Sequence, residues 1–107
     1  MTTTQRRTPP TMDVVLQNRD RIVESAARHG AVNVGVFGSV ARGDATVESD
    51  IDFIVDIIER REGIRYFGQL GDMQREFAEI TGYPVDVLDR LGVKPQLRDF
   101  IRGIISL

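Results

Sequence analysis

Apolar positions along the chain fall into two periods. From Met12 to His29, Val15, Leu16, Ile22, Val23, Ala26 and Ala27 make one stripe at helical spacing. Thr11 stands as N-cap, and Gly30 sits where a left-handed C′ residue is wanted. A second helical pattern, Ile64 to Thr81, places Phe67, Leu70, Met73 (or Gln74), Phe77 and Ile80 toward a core and ends at Gly82. A third follows Lys94-Pro95, with Pro95 near N1 and Leu97, Phe100, Ile101, Ile104 and Ile105 on its apolar side. Three short runs read as strands instead: Asn33 to Phe37, Ile51 to about Ile57, and Val85 to Leu88. Alternation sets Ile51, Phe53 and Val55 on one face of the second strand, and Asp52, Ile54 and Asp56 on the other. Asp56 is expected in solvent at the far end. Val40 to Arg42 reads as a short helix stopped by Gly43, followed by a polar turn through Asp44, Thr46, Glu48 and Ser49. Helix, strand, strand, helix, strand, helix predicts an α/β (α+β) fold of two layers, a small mixed sheet covered on one face by helices.

Length and charge narrow this picture. With 107 residues the chain makes one domain. Residues 1–10, with Arg6-Arg7 and Pro9-Pro10, have nothing to bury and are expected to form a disordered arm, leaving 11–107 as the folded unit. A net charge of -2 argues against a general nucleic-acid coat, so no DNA partner is expected. No run approaches the ~18 apolar residues of a membrane span, and the lack of cysteine fits a cytoplasmic protein. His29, the one histidine, lies near a helix C-terminus and reads as structural.

The chemistry concentrates at two places. Asp50 and Asp52 project from the same face at the mouth of the second strand, and two carboxylates that close repel unless a cation lies between them. Hard oxygen ligands suit Mg²⁺ or Mn²⁺. Before them, Gly38 lets the backbone approach a ligand, and Ser39 offers a hydroxyl and an N–H where a helix begins. A cation site beside an anion cradle reads as a site for a metal-bound nucleoside triphosphate. Asp86, opposite in direction to Val85 and Val87, is an acid in an otherwise apolar run, and such a group needs a pairing partner or a metal. Each residue also has a plain structural reading. Asp50 suits a turn cap, Asp52 a surface strand, and Arg42 a surface pair with Asp44 or Glu48.

The segments Phe37-Gly38-Ser39-Val40-Ala41-Arg42-Gly43, Ser49-Asp50-Ile51-Asp52, Pro84-Val85-Asp86-Val87-Leu88 and Lys94-Pro95 together resemble the nucleotidyltransferase fold of the DNA-polymerase-β superfamily, in particular its minimal nucleotidyltransferases. The resemblance implies that Asp50, Asp52 and Asp86 are catalytic and hold two Mg²⁺ ions, that Gly38 and Ser39 hold the phosphates of ATP, and that Arg42 reaches the β- or γ-phosphate. It also implies a type VII-like antitoxin that transfers AMP to a hydroxyl, a tyrosine by analogy, of a helical HEPN-domain RNase toxin. Relatives with a second domain present the acceptor on it; here the acceptor is expected on a partner, and a homo-oligomer or a hetero-complex is compatible with this. Two rivals stand beside it: an antitoxin that neutralises by binding alone, and a transferase subunit acting on a small molecule or an RNA end. The pI near 5.3 weighs modestly against RNA.

Overall fold

The rings of Phe53 and Phe77 meet edge to face, centroids 4.9 Å apart, and tie a strand to a helix inside the core. The computed structural model describes residues 8–107. Its elements run α1 (Met12–Gln17), α2 (Arg19–Arg28), β1 (Ala31–Phe37), α3 (Gly38–Arg42), β2 (Ile51–Ile57), α4 (Ile64–Thr81), β3 (Val85–Asp89) and β4 (Ile105–Ser106). Between β3 and β4 lie 3₁₀ turns at Arg90–Gly92 and Pro95–Ile101. The strands are ordered β3-β2-β1-β4. β1 is antiparallel to β2 and β4, while β2 and β3 are parallel, as strands joined through a crossover helix must be. The sheet is mixed, as expected. Among the described residues no helix is long and apolar enough to cross a membrane.

Helices α2 and α4 bury Ile22, Ala26, Met73 and Phe77 against Val36, Ile51, Phe53, Val55, Val85 and Val87. Ile54 points the other way and is still fully buried. The reason is Ile104: a Cβ added to Gly35 would lie 2.5 Å from Ile104 Cγ2 and 3.4 Å from Ile54 Cγ2. Only glycine in β1 lets the C-terminal segment settle on this reverse face.

Polar ties fix α4 to the C-terminal end of α2 and to the loop after β2. Gln69 of α4 is buried, and its Nε2 donates to the carbonyls of His29 and Glu59, both at 2.8 Å, while its Oε1 accepts from Arg61 N at 3.0 Å. Glu76 accepts from Ser25 Oγ at 2.8 Å and lies 2.8 Å from His29 Nε2 and 3.1 Å from Arg28. The Ser25 and His29 hydrogen bonds hold its carboxyl below the ordinary value of 4.5. A depressed acid stabilises the fold above its unfolded pKa, and that contribution is lost as pH falls through the lower folded value. Thermal melts from neutral to acid pH are therefore expected to show a shallower acid limb for Glu76→Gln than for the parent. His29 is structural in this cluster, as its position near the helix end suggested.

Four features depart from the pattern-based expectation. The first helix breaks at Asn18, whose side-chain amide donates to Val14 O at 2.8 Å and so competes with the backbone ladder. The last helix opens at Pro95 as expected, but it is a 3₁₀ helix that ends at Ile101, short of Ile104 and Ile105. Gly103 adopts φ 69°, turning the chain so that Ile105 and Ser106 pair with the exposed edge of β1. Asp56 is not solvated but ion-paired with Arg90 at 2.7 Å and bonded by Asn33 Nδ2 at 2.8 Å, beside a bulge where Asn33 takes φ 55°. Phe67 is 69% exposed rather than in the core. Of the expected disordered arm, residues 1–7 lie outside the described residues. Beyond them Pro10 is buried and Thr8 Oγ1 lies 2.9 Å from the Tyr83 hydroxyl, so this part is ordered against the domain.

Candidate active site

β1 ends by delivering Phe37 opposite Asp52 in the β1–β2 ladder, so Gly38 turns directly over that carboxylate. Gly38 has φ 74°, and a Cβ built on it would overlap Asp52 Oδ2. Both facts demand glycine. Gly38→Ala is therefore expected to cost about 1–3 kcal/mol of stability, from backbone strain and steric overlap. Urea unfolding checks this. Ser39 follows, half-buried in α3, and its carbonyl accepts from Gly43 N at 2.9 Å and Asp44 N at 3.0 Å, closing the short helix at a left-handed Gly43.

The loop after α3 is braced on itself. Thr46 N donates to Ser49 Oγ at 2.8 Å, and Ser49 N donates back to Thr46 O at 3.0 Å. This sets the direction from which Asp50 approaches β2. Asp52 and Asp86 are register partners on adjacent parallel strands, which places their backbones about 4.8 Å apart. All three aspartates thus gather at one end of the sheet.

Their electrostatics agree with that convergence. The Asp52 carboxyl is pushed above the usual range, first by burial and then by the charges of Asp86 and Asp50, with Arg42 pulling it back. Asp86 is also raised, first by desolvation of its carboxyl end and then by the charge of Asp50 and a hydrogen bond with it. Arg42 belongs to this field, yet its Nε is engaged by Asp44 Oδ2 at 3.2 Å, the surface pair that its sequence context allowed. Both partners are largely exposed, so the pair is weak and can exchange.

One expectation about β3 is corrected. Asp86 lies on the exposed side of the strand; the buried acid is Asp89, whose side chain is 2% exposed. Asp89 accepts from Arg60 at 2.5 Å, from the Tyr66 hydroxyl at 2.8 Å and from Leu91 N at 3.2 Å. Period-two alternation from Val85 and Val87 carried the signal, but Asp89 lay one residue past the expected end of the strand.

Among the described residues, no three metal-ligating side chains close round one point as a ready-made cage. The donor set nonetheless fits Mg²⁺ or Mn²⁺: oxygen ligands only, mutually repelling, beside a notch kept open by the missing Cβ of Gly38. A cleft of about 590 Å³ lined by Arg19, Val23, Asn33, Asp56, Arg90 and Leu107 lies toward the other end of the strands and holds none of the three carboxylates.

Known proteins resemble this chain. The chain is 32% identical over 81 residues to MJ0435 of Methanocaldococcus jannaschii, provisionally named a protein adenylyltransferase, covering 76% of this chain and 83% of that one. It is 30% identical over 71 residues to protein adenylyltransferase MntA of Thermococcus cleftensis, covering 66% and 68%. A solved structure provisionally described as a minimal nucleotidyltransferase superposes with a TM-score of 0.73 at 31% identity, covering 92% of this chain and 95% of that one. Residues 19–106 match the nucleotidyltransferase domain model, and the chain belongs to that family.

Proposed function

We propose that the protein transfers AMP from Mg²⁺-bound ATP to a hydroxyl of a partner protein and releases pyrophosphate. The observation that carries this is the gathering of Asp50, Asp52 and Asp86 beside the Gly38 notch. The naming of relatives as protein adenylyltransferases supports AMP as the group moved and a protein as acceptor.

In this reading Asp50, Asp52 and Asp86 would hold the two Mg²⁺ ions between them. Mg²⁺ held there would supply positive charge to offset the negative charge developing on the triphosphate. Gly38 and Ser39 hold phosphate oxygens through backbone N–H and hydroxyl groups. Asp86 takes the proton of the acceptor hydroxyl as its oxygen bonds to the α-phosphorus. The bond from that phosphorus to the bridging oxygen of the β-phosphate breaks, and Arg42, released from Asp44, stabilises the departing pyrophosphate.

The acceptor we assign is a tyrosine of a cognate HEPN-domain RNase toxin in the cytoplasm, which makes the chain a type VII-like antitoxin. Intact-mass spectrometry of the purified toxin after incubation with this protein, ATP and Mg²⁺ tests it. A gain of one or more AMP units, absent when Asp50 and Asp52 are both Asn, is the expected result. No gain with an active preparation removes the toxin as acceptor. Growth rescue by the double variant would instead favour neutralisation by binding alone.

A further inference from the structure

Helix α4 presents a face that nothing in the described chain covers. Ile64 is 85% exposed, and Phe67, one turn on, is 69% exposed. On the same side Gly68 and Gly71 are open, and a Cβ at either would meet no atom within 4 Å. Glycine inside a helix is destabilising relative to alanine, and packing within this chain does not call for it here. The Tyr66 ring meets Phe67 edge to face at 5.6 Å and reaches toward Gly92, next to the exposed Leu91.

Positive charge rims this apolar centre. Arg60, Arg61 and Arg65 stand around it on the loop and the first turn of α4, with Glu62 as the one acid among them, so arginine outnumbers acid there. Arg60 is held by Asp89, whereas Arg61 and Arg65 have no acidic partner among the described residues. The whole chain carries a net charge of -2, so this concentration is local.

We propose that this face docks a partner protein presenting an apolar helical ridge flanked by aspartate or glutamate. Charge complementarity selects that occupant. A second copy of this chain, brought Phe67 to Phe67 about a two-fold axis, would set one arginine rim against the other. Single-stranded nucleic acid would use the arginines and the rings, but it gains little from Ile64 and Leu91, which cannot stack on bases. The open glycines allow a partner backbone to come close to the helix. The face lies past the C-terminal end of β2, while Asp52 lies at its start, roughly 20 Å away along the strand. Docking here is therefore separable from chemistry at the carboxylates.

Titration of the isotope-labelled chain with two synthetic amphipathic helices tests this, one flanked by glutamate and the other by lysine on an identical leucine ridge. The glutamate peptide is expected to perturb amides within 60–71 and to bind at least tenfold more tightly than the lysine peptide. Phe67→Ser is expected to weaken it about tenfold or more. Gly68→Gln with Gly71→Gln is expected to abolish binding while raising the melting temperature, so loss of binding is not loss of fold. Equal affinity for both peptides, no binding of either, or perturbation centred elsewhere overturns the proposal. So does capture of the same amides by a short oligouridylate, or a dimer in sedimentation that protects Phe67.

Discussion

Asp52→Asn is expected to reduce AMP transfer by about a thousandfold while leaving the metal-free protein at least as stable as the parent. Two opposite effects meet at this one carboxylate. On the proposed roles it is a principal metal ligand, and an amide oxygen lacks the charge needed there. In the metal-free fold, however, burial together with the charges of Asp86 and Asp50 penalises its ionised form. A carboxyl whose folded pKa is raised contributes stability below the unfolded value of 3.8, and that contribution is lost as pH rises through the folded pKa. At neutral pH the parent carries the repulsion and the variant does not. Melting temperatures with and without Mg²⁺ give the readout: Mg²⁺ is expected to raise that of the parent by several degrees and to leave the variant nearly unmoved. A variant that melts well below the parent without metal would show that Asp52 is chiefly structural.

Asp89→Ala is expected to be the most destabilising single change to a charged group described above, costing about 2–4 kcal/mol. The carboxylate is buried and serves three donors from separate places: the Arg60 loop, Tyr66 on α4, and the Leu91 backbone. Arg60 is half exposed and can turn to water, and its guanidinium already lies 5.1 Å over the Tyr66 ring. The Tyr66 hydroxyl and the Leu91 N–H have less freedom, and their unmet hydrogen bonds make up most of the cost. A fall in melting temperature of roughly 10 °C or more is the measurement that checks it. Arg75→Ala breaks an ion pair in which the arginine is 63% exposed and Asp72 43% exposed, and should shift stability by no more than about 0.5 kcal/mol. Comparable losses in the two variants would contradict the burial argument.

The pattern of the chain made the central elements legible because each rests on local chemistry. β2 and α4 begin and end where alternation, helical spacing and Gly82 place them. The carboxylates came together because a two-residue offset sets Asp50 and Asp52 on one face, and strand parity aims Asp86 out of the core. What was not legible depends on partners distant in sequence. Leu97 to Ile105 fits a helical period, yet the open edge of β1 and the turn at Gly103 draw Ile105 and Ser106 into the sheet. Ile54 reads as an outward position and is buried only because Ile104 returns over Gly35. Phe67 keeps its place in the helical stripe but meets the ring of its neighbour Tyr66 rather than the core, and is left largely exposed. Asn18 broke a helix that its neighbours favoured, through one side-chain bond to a backbone carbonyl.

A crystal structure with Mn²⁺ and a non-hydrolysable ATP analogue bears most directly on the reading as a whole. Anomalous peaks between Asp50, Asp52 and Asp86, with the triphosphate against Gly38 and Ser39, are the expected result. Manganese bound away from all three carboxylates, or the nucleotide lodged in the cleft beside Arg90, would contradict it.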